Sequence, residues 1–495
     1  MTFQQLYKKL PSVDSLSAAP RPYINHSVEF KRLFSTKERI AMLEKVGLNV
    51  FFFPSEMITG CDLLSDSGTT TMTNEQWAAL HVGDEAYGSN RGYFLLLEQI
   101  AKVFGEAFVT QTKDNKPTAF LFHQGRAAEH AFFSLLSKND TRQIIPSNGH
   151  FDTTAANIEA NNMQALNLFS PLLKSRTSDV RFKGDMDTKR LLTFLKISQK
   201  QIPLVYLTIT NNTGGGQPVS LKNIREVSTL LHQHNIPLFL DACRFAENAW
   251  FIKQFEKGYR EKTIQQIVGE IFSYADGFSI SFKKDGLSNI GGGIFFRKDG
   301  LFVKKYPDIP DRLMNHQILT EGHPTYGGMS GRDIMALVVG LQTIVTEEYL
   351  SFRINQVQEF GKGMQEAGLP VIAPFGGHAI YLDMTEFFRD TDKKPSDFGG
   401  IAFTAMLLGL YGHRACELGN FAFGSYNPKT RKESFPEVNF VRFAVPRLRY
   451  EKDDLASVVE ATKALYQNRQ HIPKITVMYG LELPLRHFKS RFAFR

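Results

Sequence analysis

"IPLVYLTITNNTGGGQPVSLKNIREVSTLLHQHNIPLFLD" (residues 202–241) carries two short apolar runs, one at each end of a stretch with helical periodicity. The first run, residues 202–210, predicts a buried strand that ends in a glycine-rich turn. Ser220 is a suitable helix cap, and apolar residues follow it at the spacing of one helix face, up to Asn235. Residues 236–241 predict a second buried strand. Strand, helix and strand in this order form a βαβ unit, which predicts an α/β fold with a mostly parallel sheet.

The second strand of this unit ends in a carboxylate, Asp241. Ligands of parallel α/β sheets bind beyond the carboxyl ends of the strands, so Asp241 lies where chemistry is expected. Taken alone, an aspartate at this position is equally suited to capping the next helix. If a pyridine cofactor is present, however, such a carboxylate keeps the ring nitrogen protonated, so that the ring can accept electrons.

A possible phosphate site lies upstream, in "TAFLFHQGRAAEHAFFSLL" (residues 118–136). An apolar strand runs through Gln124, Gly125 and Arg126 into a helix. The start of a helix offers free N–H groups and the positive end of the helix dipole, and the arginine adds a charged fork. The alternative interpretation is an ordinary polar turn that contains an arginine.

Two adjacent lysines, Lys283 and Lys284, lie in "SFKKDGLSNIGGGIFF" (residues 281–296). Adjacent lysines are usually solvated surface charges. Here, apolar stretches on both sides predict a strand that ends at the lysines and another that begins after the glycines. A phosphate site, an acid at a strand end and then a lysine is the order typical of pyridoxal-phosphate enzymes with the aspartate-aminotransferase fold.

The composition is that of a globular protein large enough for more than one domain, with 495 residues of which 42% are hydrophobic. The formal net charge is +8, but lysine and arginine form no block typical of a nucleic-acid-binding arm. The three cysteines include no CxxC pair, which fits a reducing compartment. No export signal is evident, and no apolar run reaches the roughly 18 residues of a membrane span. We therefore expect a cytoplasmic protein that binds neither nucleic acid nor membranes.

A series of longer stretches, in order along the chain, extends this interpretation. They include "LLSDSGT", "GDEAYGS", "HQGRAAE", "SNGHFDTT", "DACRFAENAWFIKQ", "FKKDGLSNIGG", "EGHPTYGGMSGRD" and "VRFAVPR". Through them the chain, from about residue 45 onward, resembles the β-eliminating lyases, the family of tryptophanase and tyrosine phenol-lyase. The resemblance implies pyridoxal-phosphate fold type I, with a large, mostly parallel domain over residues 60–330. It also implies a small α+β domain built from residues 331–495 and 1–59, the latter including an N-terminal arm.

The resemblance assigns cofactor-binding roles to residues whose chemistry suits them. Lys284 would bind pyridoxal phosphate covalently and later take up the Cα proton of the substrate. Asp241 would pair with the ring nitrogen, and Phe151 would stack on the ring. The other implied contacts are Gln124, Gly125, Arg126 and Ser281 to the phosphate, and Asn212 and Arg244 near the phenolic oxygen.

The implied reaction is β-elimination of an aromatic amino acid, which yields pyruvate, ammonia and the free aromatic compound. Arg442 would bind the substrate carboxylate. Ser65, which stands where the family usually has threonine, is also expected to contact the substrate. Tyr87 would protonate the aromatic ring, because a carbon leaving group does not depart as an anion.

Three positions bear on which aromatic group leaves. Leu418 stands where phenol-lyases carry an arginine, Asp152 where they have threonine, and His487 where they have phenylalanine. All three favour indole over phenol, because polar partners for the indole N–H discriminate strongly. The expected activity is therefore tryptophan indole-lyase. The alternative is a lyase that acts on L-tyrosine, S-alkyl cysteine or serine.

The family also uses a monovalent cation, normally K⁺. By resemblance, Glu85 would bind it through its side chain, and Gly68 and Asn289 through their main-chain carbonyls. Tyr326 falls in a segment that the family places close to the cofactor of a partner subunit. A homotetramer, formed from two catalytic dimers, is therefore expected.

Two other classes of protein stay open from the sequence. An aminotransferase or aldolase of the same fold would keep Lys284 and Asp241 but would not need Tyr87. A pseudoenzyme or basic scaffold protein would bind no cofactor. The chain also departs from the family before about residue 45, where "RPYINHSVEF" replaces an arginine-rich pattern, and this departure bears on substrate range.

Overall fold

The computed structural model describes residues 21–24, 27–137, 143–174 and 180–495 of the chain. The helices and strands of the described residues all belong to the unit from Arg32 to Arg495, and the residues up to Lys31 belong to a separate unit. The arm predicted within residues 1–59 therefore falls partly outside the described residues.

The strands are short, and most of them alternate with helices. In chain order the strands are β1 (Ala119–Phe122), β2 (Ile144–Ser147), β3 (Gln164–Asn167), β4 (Val205–Thr208), β5 (Leu238–Asp241), β6 (Gly277–Ser281), β7 (Gly292–Phe296), β8 (Ala379–Asp383), β9 (Cys416–Leu418), β10 (Ser425–Asn427), β11 (Lys432–Ser434), β12 (Phe440–Ala444), β13 (Ile475–Tyr479) and β14 (Arg491–Phe494). The α-helices are α1 (Thr36–Lys45), α2 (Asn74–Val82), α3 (Arg91–Phe104), α4 (Gly125–Leu136), α5 (Asp152–Ala160), α6 (Thr188–Ser198), α7 (Leu221–Gln233), α8 (Phe245–Phe255), α9 (Ile264–Ser273), α10 (Leu301–Lys305), α11 (Ile309–Thr320), α12 (Gly331–Thr343), α13 (Glu347–Glu366), α14 (Met384–Phe387), α15 (Gly399–Tyr411) and α16 (Lys452–Gln467).

The largest sheet has the strand order β1-β7-β6-β5-β4. Strands β4, β5 and β6 are parallel, and β7 is antiparallel to both of its neighbours, β6 and β1. Four of its five strands therefore share one direction, which confirms the predicted α/β fold with a mostly parallel sheet. Every residue of β4 to β7 is buried, as expected for a sheet with helices on both faces.

The predicted βαβ unit is β4, α7 and β5. The hydroxyl of Ser220 caps α7 by accepting a hydrogen bond from the N–H of Asn223 at 3.0 Å. Strand β4 is shorter than predicted, because the chain folds into a tight turn after Thr208. In this turn the carbonyl of Asn212 accepts from the N–H groups of Gly215 and Gly216, whose φ angles of 85° and 70° favour glycine.

A second sheet contains three antiparallel strands in the order β8-β12-β9. Its apolar core brings residues between Leu43 and Leu63 together with residues between Val357 and Phe492. A larger core, formed by residues between Leu96 and Leu350, packs around the central sheet. A further core, which includes Phe120, Tyr206 and Phe239, also packs against the central sheet, so this sheet carries apolar cores on both faces and the second sheet has a core of its own.

Among the described residues, no single helix is both long enough and apolar enough to cross a membrane. Only α12 and α13 taken together reach that length and composition, and they are bent by 83° relative to each other.

Candidate active site

A cavity that is open to solvent at its mouth lies at the carboxyl ends of β4, β5 and β6. Residues of β9 and β12, from the second sheet, form its other wall. Fourteen of the predicted site residues line this cavity. They are Ser65, Gln124, Gly125, Arg126, Phe151, Asp152, Asn212, Asp241, Arg244, Ser281, Lys284, Leu418, Arg442 and His487.

One end of the cavity is formed by the start of α4. Among the described residues, no side chain caps this helix, and its N-cap residue is Gln124. The N–H of Ala127 donates to the carbonyl of Gln124 at 3.2 Å, which leaves the N–H of Arg126 in the first turn available to an anion, and the helix dipole also favours an anion there. A Cβ atom on Gly125 would lie 2.7 Å from the Cβ of Ser281, so the close approach of α4 to the end of β6 requires glycine.

Asp241 ends β5 and is flanked in the sheet by Thr208 and Ser279. Behind it lies Glu129, a buried cavity residue that the sequence analysis did not single out. Glu129 accepts hydrogen bonds from the hydroxyls of Thr154 at 2.9 Å and Tyr206 at 3.2 Å. Burial, with the charge of Asp241 as a second cause, raises the pKa of Glu129 to about 8. Its surroundings therefore favour the protonated, neutral form of Glu129 next to Asp241.

The two lysines follow β6, as the sequence predicts, and both line the cavity. The carbonyl of Lys283 accepts a hydrogen bond from the N–H of Gly68 at 2.7 Å. A Cβ atom on Gly68 would lie 2.7 Å from Cε of Lys283, so the side chain of Lys283 packs along this loop. Burial, followed by the charges of Lys284 and Arg126, lowers the pKa of Lys283.

Arg244 is fixed by Asp66, a residue missed in the sequence although it lies in the matching stretch "LLSDSGT". Two guanidinium nitrogens of Arg244 donate to the Asp66 carboxylate at 2.7 and 3.0 Å. Arg447 donates to the same carboxylate at 3.1 Å and also to Glu247 and Asp285, each at 2.8 Å. All five side chains are buried. Burial would raise the pKa of Asp66, but the two arginines hold it well below its usual value, so the carboxylate stays ionised.

Arg442 on β12 and Asn212 after β4 meet at the centre of the cavity. Nη1 of Arg442 donates to Oδ1 of Asn212 at 3.3 Å, and Nη2 donates to the carbonyl of Leu64 at 3.1 Å. Nε of Arg442 is buried and has no partner among the described residues. Because an unpaired buried guanidinium N–H is costly, this atom marks a place for an external acceptor such as a carboxylate.

The opposite end of the cavity is closed by His487, Asp152, Leu418 and Phe51. Nε2 of His487 lies 3.1 Å from the Asp152 carboxylate, and Nδ1 of His487 has no partner among the described residues. Burial would raise the pKa of Asp152, but its hydrogen bond with His487 and nearby charges lower it overall. This end therefore combines apolar walls with a hydrogen-bonded pair of polar side chains.

The remaining predicted residues lie outside the cavity of one chain. Tyr87 is 74% exposed, and its ring is 5.7 Å from that of His323 and 5.8 Å from that of Tyr326. Glu85 is exposed and forms an ion pair with Arg332. Gly68 and Asn289 are neighbours, since a Cβ on Gly68 would lie 3.2 Å from the carbonyl oxygen of Asn289.

The cavity fits pyridoxal phosphate by the chemistry of its donors. The start of α4 offers an anion site, Asp241 a carboxylate for a ring nitrogen, and Lys284 an amine for an aldehyde. The unpaired Nε of Arg442 adds a site for the carboxylate of an amino acid. A cofactor with a phosphate, a pyridine nitrogen and an aldehyde can thus be held beside an α-amino acid.

The family model of the β-eliminating lyases matches residues 62–461. A tryptophanase from Salinibacter ruber is 39% identical over 95% of this chain and 94% of its own length. A tryptophanase from Rhodobacter capsulatus is 38% identical over 95% of this chain and 98% of its own. A tyrosine phenol-lyase from Lacrimispora saccharolytica is 36% identical over 97% of this chain and 98% of its own.

Solved structures with the same fold are more distant in sequence. A serine palmitoyltransferase from Sphingomonas wittichii superposes with a TM-score of 0.53 and 11% identity, over 84% of this chain and 89% of its own. An aminotransferase from Staphylococcus aureus superposes with a TM-score of 0.54 and 12% identity, over 82% and 94%. These similarities concern the fold alone, and they confirm the predicted fold type I.

Proposed function

Because the chain belongs to the β-eliminating lyase family and is thereby a pyridoxal-phosphate-dependent lyase, we propose that it cleaves L-tryptophan to indole, pyruvate and ammonia. Membership of the family confirms the resemblance inferred from the sequence. The observation that carries the choice of substrate is the hydrogen-bonded pair of Asp152 and His487 next to the apolar Leu418. This pair offers polar partners to an indole N–H, and Leu418 offers none to a phenol hydroxyl.

Different residues of the cavity bind the substrate and the cofactor. Arg442 binds the substrate carboxylate through its free Nε, with Ser65 beside it. Gln124, Gly125, Arg126 and Ser281 hold the cofactor phosphate at the start of α4. Phe151 lies along the ring, Asp241 pairs with its nitrogen, and Asn212 and Arg244 lie near its phenolic oxygen.

When bound, pyridoxal phosphate supplies an aldehyde that captures the substrate amino group and a ring that accepts the electrons of the Cα–H bond. Lys284 removes the Cα proton, since its amine shares the cavity with the bound amino acid. Asp241 stabilises positive charge at the ring nitrogen. Asp152 and His487 hold the indole N–H, which fixes the orientation of the ring before the Cβ–C3 bond breaks.

Tyr87 donates a proton to C3 of the indole ring as that bond breaks. Since Tyr87 is exposed and lies outside the cavity of its own chain, we propose that it acts in the cavity of a partner subunit, together with Tyr326. The assembly is a homotetramer of two catalytic dimers. A K⁺ ion bound by the carbonyls of Gly68 and Asn289 and by Glu85 supports the site, once Glu85 leaves its ion pair with Arg332.

We also propose that the two sheets, each with its own packing, belong to two domains, a large one over residues 60–330 and a small one built from residues 1–59 and 331–495. The cavity then lies between the domains, which suits a substrate that must be enclosed from water. We expect the protein to act in the cytoplasm.

A phenol-lyase acting on L-tyrosine is the second candidate, because tyrosine phenol-lyases cover as much of the chain as tryptophanases do. Elimination from S-alkyl cysteine or serine would need no proton donor for an aromatic ring. Transamination or aldol cleavage would use Lys284 and Asp241 but would leave Tyr87 without a role.

The test is an assay of the pyridoxal-phosphate-loaded protein in potassium buffer. L-Tryptophan and L-tyrosine are supplied separately, and indole, phenol and pyruvate are followed. We expect equal amounts of indole and pyruvate from tryptophan and no phenol from tyrosine. His487→Phe should lower kcat/KM for tryptophan about tenfold or more, because it leaves Asp152 without its partner. Phenol from tyrosine, or neither aromatic product, would contradict the proposed substrate.

A further inference from the structure

Three polar groups, two of which donate hydrogen bonds, converge on one oxygen atom, Oδ1 of Asn212. The hydroxyl of Tyr381 lies 2.5 Å from this oxygen, Nε2 of His378 lies 3.1 Å from it, and Nη1 of Arg442 lies 3.3 Å from it. All four side chains are buried. The carbonyl side of the Asn212 amide is therefore fully occupied by the protein.

This arrangement fixes which way the amide faces. Burial raises the pKa of Tyr381, so its hydroxyl keeps its proton and donates. Burial, followed by the charge of Arg244, lowers the pKa of His378 well below its usual value, so the imidazole is neutral, and its Nε2 lies 3.1 Å from Oδ1 of Asn212 and 3.2 Å from the Tyr381 hydroxyl. A reversed amide would set its NH₂ group against Arg442, which can only donate. Nδ2 of Asn212 therefore faces the cavity.

Tyr381 lies where it can link two parts of the site. It sits on β8 directly opposite Arg442 of β12 in the sheet register, and both side chains reach Asn212. Its ring also packs closely on the turn after β4, since a Cβ on Gly216 would lie 2.9 Å from Cε2 of Tyr381. Tyr381 and Arg442, both of the second sheet, thus contact the same residue, Asn212, in the turn that follows β4 of the first sheet.

We infer that Tyr381 is a positioning residue, whose hydroxyl orients the Asn212 amide toward the phenolic oxygen of the cofactor and holds Arg442 ready for the substrate carboxylate. This inference rests on the proposed function, because it takes Asn212 and Arg442 as the contacts to cofactor and substrate. Loss of the hydroxyl frees the amide to rotate, so that Nδ2 faces the cavity for only part of the time. Arg442 then loses its fixed acceptor as well.

The test uses Tyr381→Phe, Asn212→Ala and the double variant, each loaded with pyridoxal phosphate. Tyr349→Phe is the matched control, because Tyr349 is also buried and its hydroxyl has no partner among the described residues. Two readouts need no turnover: the pH titration of the visible absorbance of the bound cofactor, and the dissociation constant of L-alanine, which has no leaving group.

We expect Tyr381→Phe to weaken L-alanine binding about fivefold and to raise the pKa of the bound chromophore, since one net hydrogen bond is worth about that factor. Tyr349→Phe should leave both readouts unchanged. In the Asn212→Ala background, the removal of the Tyr381 hydroxyl should add little, because its effect passes through Asn212.

Two results would overturn the inference. One is a Tyr381→Phe protein that matches Tyr349→Phe in both readouts. The other is an effect of the same size with and without Asn212, which would mean that Tyr381 acts by packing. Neither result depends on which amino acid is cleaved, so a failed tryptophan assay with the expected spectra would count against the proposed substrate only.

Discussion

At the scale of single residues, Glu129 is the side chain with the most unusual chemistry in the cavity. It lies one helical turn after Gly125, so it shares a helix face with the anion site and points behind Asp241. Its hydrogen-bond partners are three buried hydroxyls, those of Thr154, Tyr206 and Ser279. A protonated Glu129 spares the site a second negative charge beside Asp241.

The raised pKa of Glu129 predicts a pH dependence of stability in the protein freed of cofactor. Between the unfolded value of 4.5 and the folded value of about 8, the folded state binds more protons than the unfolded state. Stability contributed by this group is therefore lost as the pH rises through that window. Glu129→Gln cannot titrate, so the variant should lose less stability than the wild type between pH 5 and 9, measured by denaturant midpoints.

Asp185→Asn is the control for this experiment. Burial raises the pKa of Asp185 to about 7, and this carboxylate accepts hydrogen bonds from Ser220 rather than from the cavity residues. Its removal should change the curve only below that pH and leave cofactor binding intact. A Glu129→Gln curve that parallels the wild type would show that Glu129 is ionised throughout.

At the scale of the elements, a buried network of charges joins the segment before α2 to β5, β6 and β12. Asp66 precedes α2, Arg244 follows β5, Asp285 follows β6 and Arg447 follows β12. Such a network costs desolvation, and each charge is tolerated only because its partners are present. The network holds the side chain of Arg244 in place next to the residues that are proposed to contact the cofactor.

Asp66→Asn should destabilise the protein by about 3–5 kcal/mol, because it takes from the buried Arg244 the carboxylate that binds it and from Arg447 one of its three. The matched control is Asp62→Asn. Asp62 binds Arg414 with the same two-pronged geometry, at 2.6 and 2.9 Å, but the two side chains are 16% and 11% exposed. We expect a smaller loss there, because solvent reaches this pair in part and Asp62 binds one arginine rather than two. Equal shifts in the denaturant midpoint of the two variants would refute a special role for the network.

The elements also show what sequence can and cannot predict. The unit β4–α7–β5 follows from local patterns, since strand runs, the Ser220 cap and helical spacing all act within a few residues. The antiparallel course of β7 has no local signal, because the direction of a strand depends on where the chain packs after the turn at Lys284. Asp66 and Tyr381 were missed for the same reason. Asp66 lies in a polar stretch and Tyr381 in an apolar one, and neither stretch shows which residues they contact in the folded chain.

At the scale of the whole molecule, one chain brings together in one cavity the residues proposed to bind cofactor and substrate, but it leaves Tyr87 on its surface. The family resemblance gave Tyr87 a role, but it could not show whose cavity the residue enters. The answer depends on how subunits assemble, and the sequence pattern of one chain does not show this. If Tyr87 is the proton donor that we propose, its exposure on the surface of its own chain implies a site shared between subunits.

Subunit complementation tests this directly. Lys284→Ala and Tyr87→Phe should each be nearly inactive as pure proteins. If Tyr87 acts in a partner's cavity, a mixed dimer contains one site with both residues intact, so random mixing should restore about a quarter of wild-type activity. Both proteins are first unfolded and refolded together, and Lys284→Ala mixed with wild type serves as the control. No recovery beyond the sum of the two variants would place Tyr87 in the cavity of its own chain.

The most direct test of the site as a whole is to locate the lysine that binds the cofactor. The pyridoxal-phosphate-loaded protein is reduced with borohydride, digested, and analysed by tandem mass spectrometry across the peptide that contains Lys283 and Lys284. We predict that Lys284 alone carries the reduced pyridoxyl group, and that Lys284→Ala carries none. Modification of Lys283, or of a lysine outside the cavity, would contradict the assignment of this cavity as the catalytic centre.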